Sequence, residues 1–321
     1  MRNNIVRSPG TSLAFFVVLV TTLSLAFGQQ QSDPNFAAKV SHPAYTKKHP
    51  KVLFDEAHNN FHTAGGRYKP FADLVTNDGY QLIPNKEKFS KAMLKGYDVL
   101  VLANAAGERG NRANPAFTDD ECDAVRDWVR AGGSLLLVTD HYPYGSAAEI
   151  LAKRFGVEMS KGFTEDLANY DKTSGDESQL VYTRERGLLI NHPIIKGRNK
   201  DERINRVMTF TGQSLKSAQG QAFLILSATA MDRIPKSVKV EQTADGARTT
   251  VEYSDPISAA GRAQAIALKF GKGRVVVTGE AAMLTAQLNA RNQTPIGMNV
   301  SGTDNRQLAL NIMHWLSKLL K

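Results

Sequence analysis

Residues 132–150, GGSLLLVTDHYPYGSAAEI, decide the fold. A glycine pair precedes an unbroken apolar run, Leu135 to Val138, which ends in Thr139, Asp140 and His141; small residues follow and lead into helical spacing through Ile150, Leu151 and Phe155. A short apolar run without alternation reads as a strand buried on both faces, as in a parallel sheet covered by helices. In such sheets ligands and catalytic groups gather just past the carboxyl ends of the strands. Asp140 and His141 are therefore candidate site residues by position, although no G-x-S-x-G elbow or cysteine nucleophile accompanies them.

Working outward, KVLFD at 51–55, GYDVLVLAN at 96–104 and AFLILSA at 222–228 repeat the buried-strand pattern. Between them, FTDDECDAVRDWVRAGG at 117–133 carries every mark of a helix: Thr118 and Glu121 form a capping box, acidic residues crowd the first turn and Gly132 ends the last. Helices are also expected from about Ser146 to Phe155 and from Asp304 to Leu320, the latter through Leu308, Ile312, Trp315 and Leu319. Residues 157–220 lose periodicity and read as a lid or insertion. Two hairpins are expected after it, around Asp245-Gly246 and around Gly271-Lys272-Gly273. The predicted architecture is one α/β domain over residues 51–321, a mostly parallel sheet flanked by helices with antiparallel hairpin additions.

The flanks and the bulk composition narrow the function classes. Arg2 and Arg7 precede an apolar run from Leu13 to Phe27, and Ala26-Phe27-Gly28 supplies small residues for cleavage, so residues 1–28 read as a signal peptide and the mature chain as exported, periplasmic or extracellular. Residues 29–50 lack a period and read as a flexible linker. No later apolar run is long enough to span a bilayer. The formal charge of +9, less the two leader arginines, leaves +7. Lys47, Lys48 and Lys51 form only a small cluster, without the basic stripe and interleaved aromatics of a nucleic-acid surface. Cys122 is the single cysteine, which excludes an intrachain disulfide, and its helical spacing with Val125 and Val129 marks a buried thiol.

Residues expected at the strand ends are Asp55 with Glu56, His58 and Asn59 in FDEAHNN, Asn104 in VLANAAGE, Asp140 and His141, and Glu280 in VVVTGEAAM. Parallel strands bring such ends to one edge, so these residues are expected to share a polar crevice. A carboxylate beside an imidazole suits general acid–base work or divalent-metal ligation. His58 and His62 have the i, i+4 spacing of a helical metal pair, but Asn59, Asn60 and Phe61 stand where HExxH has its glutamate, and a metal is not favoured. The alternative for Asp140 and His141 is helix capping and loop hydrogen bonding. Asn299, Asp304 and Asn305 in GMNVSGTDN offer further polar ligand contacts, with Asp304 as an alternative cap for the last helix.

The chain resembles the class I glutamine amidotransferase-like superfamily, in particular its exported DUF4350-like group, and more distantly ThuA-like proteins. The likeness covers roughly residues 51–321 and rests on FDEAHNN, the FTDDECDAVRDWVRAGGSLLLVTDH block, NHPII at 191–195, GRVVVTGEAAM at 273–283 and DNRQLALNIMHWL at 304–316. It implies a flavodoxin-like, glutamine amidotransferase-like fold. An active amidotransferase carries its cysteine on the elbow after a central strand and a later His-x-Glu pair; here the elbow holds Asp140-His141 and the later position reads Thr278-Gly279-Glu280. Thioester chemistry lacks its thiol there. His192 in the NHPII turn is read as shaping its loop.

Two functions follow as expectations. The first is an exported, non-amidotransferase module that binds a small polar ligand, with carbohydrate as a candidate class, or a protein partner in the cell envelope. The second is an extracytoplasmic hydrolase, metal-assisted or not, that uses Asp140 and His141 with His58 and Glu280.

Overall fold

A computed structural model describes residues 30–108, 111–243 and 246–321. The expected leader and Asp245, at the turn of the first hairpin, lie outside the described residues. Nine strands form the main sheet. In chain order they are β1 (Lys51–Asp55), β2 (Gln81–Asn85), β3 (Val99–Ala103), β4 (Ser134–Val138), β5 (Val157–Met159), β6 (Leu215–Ser217), β7 (Gln221–Ile225), β8 (Ala263–Phe270) and β9 (Gly273–Thr278). Among the described residues five α-helices accompany them: α1 (Lys69–Asn77), α2 (Asp119–Ala131), α3 (Tyr144–Lys153), the short α4 (Pro193–Lys196) and α5 (Asn305–Leu316).

The strands run β2-β1-β3-β4-β9-β8-β6-β5, with β7 also paired to β8. From β2 to β9 every pairing is parallel; from β9 outward every pairing is antiparallel. The sheet is thus mixed, where the sequence predicted a mostly parallel one. The difference lies in AFLILSA, which forms β7 antiparallel to β8. A parallel return needs a crossover, usually a helix, and the helices between α3 and β7 are only the four-residue α4 and a three-residue 3-10 turn. The predicted hairpin at Gly271-Lys272-Gly273 is present as β8–β9, closing with Phe270 opposite Gly273. Edge strand β2 escaped prediction because Pro84 interrupts its pattern; on an edge, a missing N–H is tolerated.

Alternation along the strands sorts the core into two layers. Val52, Phe54, Val99, Val101, Leu136, Val138 and Val276 pack beneath α1 and α5, against Phe71, Leu74, Leu308, Ile312 and Trp315. Leu53, Leu100, Leu102, Leu135, Leu137, Val275 and Val277 face α2 and α3, against Cys122, Val125, Val129 and Leu151. Strands β3 and β4 are buried along their whole length, as their unbroken apolar sequence requires. Among the described residues no helix is long and apolar enough to cross a membrane.

Residues 157–220 are not a structureless insertion. They supply β5 and β6, the strand Phe163–Asp166 of a small sheet completed by Ala230–Arg233 and Ile257–Ser258, and the pair Val181–Thr183 with Arg206–Met208. The segment expected as a linker is also seated on the body. Gln30–Ser32 pairs with Ala286–Asn289, the Ala44 N–H donates to Asp78, and the Tyr45 hydroxyl donates to Ser317 while its ring meets Tyr80 edge-on. Backbone pairing and buried aromatics hold it, features that a low-periodicity polar sequence does not display.

The Thr118 cap is built as predicted: its hydroxyl accepts from the Glu121 N–H, and the Glu121 carboxylate accepts from the Thr118 N–H at 3.0 Å. Replacing Thr118 with Ala is expected to cost about 1 kcal/mol in chemical denaturation, with an unchanged denaturant dependence.

Candidate functional site

The parallel register brings the strand ends together. Ala103 of β3 lies beside Val138 of β4, and Val138 beside Thr278 of β9, so Asn104, Asp140 and Glu280 emerge as neighbours. Asn104 takes a left-handed conformation (φ 47°), and its side-chain oxygen accepts from the Asp140 N–H at 2.9 Å. The Asp140 carboxylate accepts from the His141 N–H at 2.8 Å, and the His141 ring Nδ1 contacts the Tyr142 carbonyl at 2.8 Å. His141 Nε2 lies 3.9 Å from Asp140.

Glu280 is fully buried and accepts from the Ala282 and Met283 N–H groups at 2.6 and 2.8 Å. Burial, then the negative charge of Asp140, raises its carboxyl well above the usual range despite those donors. Asp140, whose side chain is 15% exposed, is raised as well, chiefly by burial. Two carboxylates that each disfavour ionisation, one of them at the surface of a strand-end cluster, are a candidate site on physical grounds.

The surroundings complete the cluster. Tyr68 donates to the Ala281 carbonyl at 2.6 Å, and its ring packs 4.7 Å from that of His62. His62 is 3% exposed, its Nδ1 has no hydrogen-bond partner, and burial followed by the nearby Arg67 charge lowers its pKa to about 3. It is therefore neutral near pH 7. The Arg67 guanidinium lies 4.3 Å above the half-buried Phe61 ring, and Arg112 lies 5.7 Å from both Phe61 and Tyr144. From behind, Gln213 donates to the Asp140 carbonyl at 2.8 Å. A Cβ on Gly145 would come within 2.5 Å of the Gln213 amide, and one on Gly212 within 2.6 Å of the Glu280 Cβ. These glycines permit the close approach that buries the pair.

Other predicted site residues lie elsewhere. Asp55 and His58 do not join Asp140. Phe54 pairs with Val101, which sets Asp55 level with Leu102, and its parity with Leu53 turns it toward the α2 face. There His58 is clamped at 2.9 Å on both sides, Nδ1 against Asp55 and Nε2 against Glu121, between the rings of Phe89 and Phe117. Both ring nitrogens are occupied, and residues 56–66 contain bends and turns rather than a helix, so the i, i+4 pairing with His62 does not arise. Among the described residues no group of three or more His, Cys, Asp and Glu side chains is disposed to hold a metal.

The remaining polar candidates are similarly engaged. Glu56 accepts from the Ala64 N–H. Asn59, exposed and also left-handed, donates to the Gly107 carbonyl at 3.4 Å. Asn299 donates to Asp33 and to the Gln287 carbonyl in the small sheet that receives the N-terminal segment. Asp304 does not cap α5 with its side chain, but accepts from the Asn205 and Arg206 N–H groups. Asn305 exchanges two hydrogen bonds with the Met208 backbone. His192 caps α4 by accepting from the Ile194 N–H, and burial lowers its pKa to about 4. Sequence reasoning did not single out Tyr68, Arg67, Arg112, Tyr144 or Gln213, which carry no motif and meet only through loops.

No protein-family model and no curated protein matches the chain. Among solved structures, the mmIFT52 N-terminal domain has a TM-score of 0.57 at 13% identity, over 83% of this chain and 97% of that one, and shares its fold. A protein termed ThuA-like from Bacteroides uniformis has a TM-score of 0.41 at 13% identity, covering 86% and 95% of the two chains. A protein described as part of a GMP synthase, from Thermoplasma acidophilum, gives 0.39 at 11% identity, covering 85% and 97%.

The His58 clamp makes a prediction about acid stability. Burial pushes the Glu121 carboxyl up, but the Thr118 N–H and then His58 outweigh it and hold it at about 2. The contribution is complete above the ordinary value of 4.5 and is lost as pH falls toward 2. Glu121→Gln should lower Tm at neutral pH and flatten its decline across that acid window, as followed by circular dichroism.

Proposed function

We propose that the protein is an exported binding module on a glutamine amidotransferase-like, flavodoxin-like scaffold, and that it takes a hydroxyl-rich polar ligand, carbohydrate above other classes, around Asp140 and Glu280. The observation that carries this reading is the convergence of Asn104, Asp140 and Glu280 at the ends of β3, β4 and β9, where burial raises both carboxyls. The Asp140 carboxyl, which reaches the surface, accepts from hydroxyls and, when protonated, donates to them. Export rests on the leader-like residues 1–28.

Amidotransfer is not supported. Cys122 is the single cysteine, is buried in α2, and its thiol is pushed up to about 12, mainly by burial. A thioester route needs a thiolate at the elbow, where this chain has Asp140.

The same pair favours a second reading, a hydrolase. Two carboxyls raised to different degrees by burial can take different roles, the more strongly raised Glu280 as general acid and Asp140 as base. His141 is the imidazole nearest this pair in sequence; His58 leaves the set because both its nitrogens are bonded within the fold.

Calorimetric titration with a panel of neutral oligosaccharides tests the binding reading, with chromatography of the same mixtures to detect cleavage. Asp140→Asn is expected to weaken binding at least about tenfold, or 1.4 kcal/mol, while raising Tm at neutral pH, because it removes a carboxylate whose ionisation the fold disfavours. Cleavage products lost on that substitution would select the hydrolase. Equal affinity in both proteins would reject the site.

A further inference from the structure

The hairpin of strands Pro235–Thr243 and Gly246–Tyr253 stands outside the main sheet. Its root is anchored: Val251 is buried and Tyr253 meets Phe163 edge-on at 4.8 Å. Beyond the root, Val238 and Val240 share one face and are 37% and 48% exposed, two of the few large apolar side chains left in water among the described residues. Among those residues, Pro235–Thr243 has Gly246–Tyr253 on one side and no strand on the other. Its free edge is a row of unpaired backbone donors and acceptors.

Edges are ordinarily blunted by prolines, bulges, inward-facing charges or exposed lysines, and the exposed Lys239 on this edge, with Lys236 at the root, disfavours any strand that does not set an acidic residue against it. Here Pro235 and the one register irregularity lie at the root, and pairing is regular from Ser237 to Thr243. Lys239 and Glu241 flank Val240, and both are exposed.

This order is self-complementary. We propose that the edge strand Pro235–Thr243 pairs antiparallel with the same strand of a second copy of this chain, about a two-fold axis at Val240. In that register Val240 faces Val240, and Lys239 of each copy faces Glu241 of the other, so the symmetry makes two opposite-charge pairs. A shift that centres Lys239 on the axis would set Lys239 against Lys239, so the charges select the register. The two hairpins become one four-stranded antiparallel sheet, and the valine faces of both copies join into one apolar stripe.

Sedimentation equilibrium of the full chain tests this. The unaltered protein is expected to dimerise below about 100 µM. Lys239→Glu and Glu241→Lys should each weaken the dimer about tenfold, since either substitution turns both symmetric pairs into like-charge pairs. The double swap, Lys239→Glu with Glu241→Lys, should restore the original affinity. The circular dichroism melt of Lys239→Glu should match the unaltered protein, because that side chain is exposed; the two variants carrying Glu241→Lys also set two basic residues opposite each other at Arg248, so Arg248→Glu is added to both to keep the hairpin pair matched. A monomer throughout that concentration range, a dimer indifferent to the single swaps, or a double swap that stays dissociated with an unchanged melt would overturn the proposal.

Discussion

The common register of β3, β4 and β9 is the constraint on which the rest depends. With Ala103 beside Val138 and Val138 beside Thr278, three chain segments leave the sheet at one level. Asn104, one residue past its strand, and Asp140 and Glu280, two past theirs, must then share a space that no single segment defines. The apolar strands enforce this register, because a one-residue slip would turn Leu135 and Leu137 away from α2 and α3. The cluster is thus positioned by the core rather than by its own hydrogen bonds.

The buried ionisable groups divide into two types. Around His58 hydrogen-bonding groups are matched: the imidazole lies between Asp55 and Glu121, and α2 is anchored through the same Glu121 that closes its capping box. Such an arrangement satisfies its own polar atoms and leaves nothing for a ligand. Around Asp140 and Glu280 like charges are brought together, and the Tyr68 ring beside Glu280 packs on His62, whose Nδ1 has no hydrogen-bond partner. Crowded carboxyls and an unused donor or acceptor are costly in a folded core. A ligand that supplies the missing partners relieves that cost, which is why the second cluster, and not the first, is read as the site.

Much of this was legible along the chain. The period of LLLVTDH, the cap at Thr118 and the turn at Gly271-Lys272-Gly273 are local signals, written within a few residues, and the structure contains each of them. The positions of Asp140 and Glu280 at strand ends follow from the same local pattern. Parity was legible too: alternation from Leu53 assigns Asp55 to the α2 face. Its consequence for His58 was not, because Glu121 meets that ring across 63 residues.

What the sequence determined by itself is the set of buried strands, their alternating faces and the helices that cover them, since these depend on spacing between near neighbours. Only the tertiary structure decided that β7 runs antiparallel, that residues 30–50 lie against the body, and that Asp140 acts electrostatically on Glu280 while Asp55 is bound to His58. Those outcomes depend on strand register and on contacts between segments far apart in the chain, where hydrogen bonding and burial are settled by the whole core and leave no periodic trace in any one stretch.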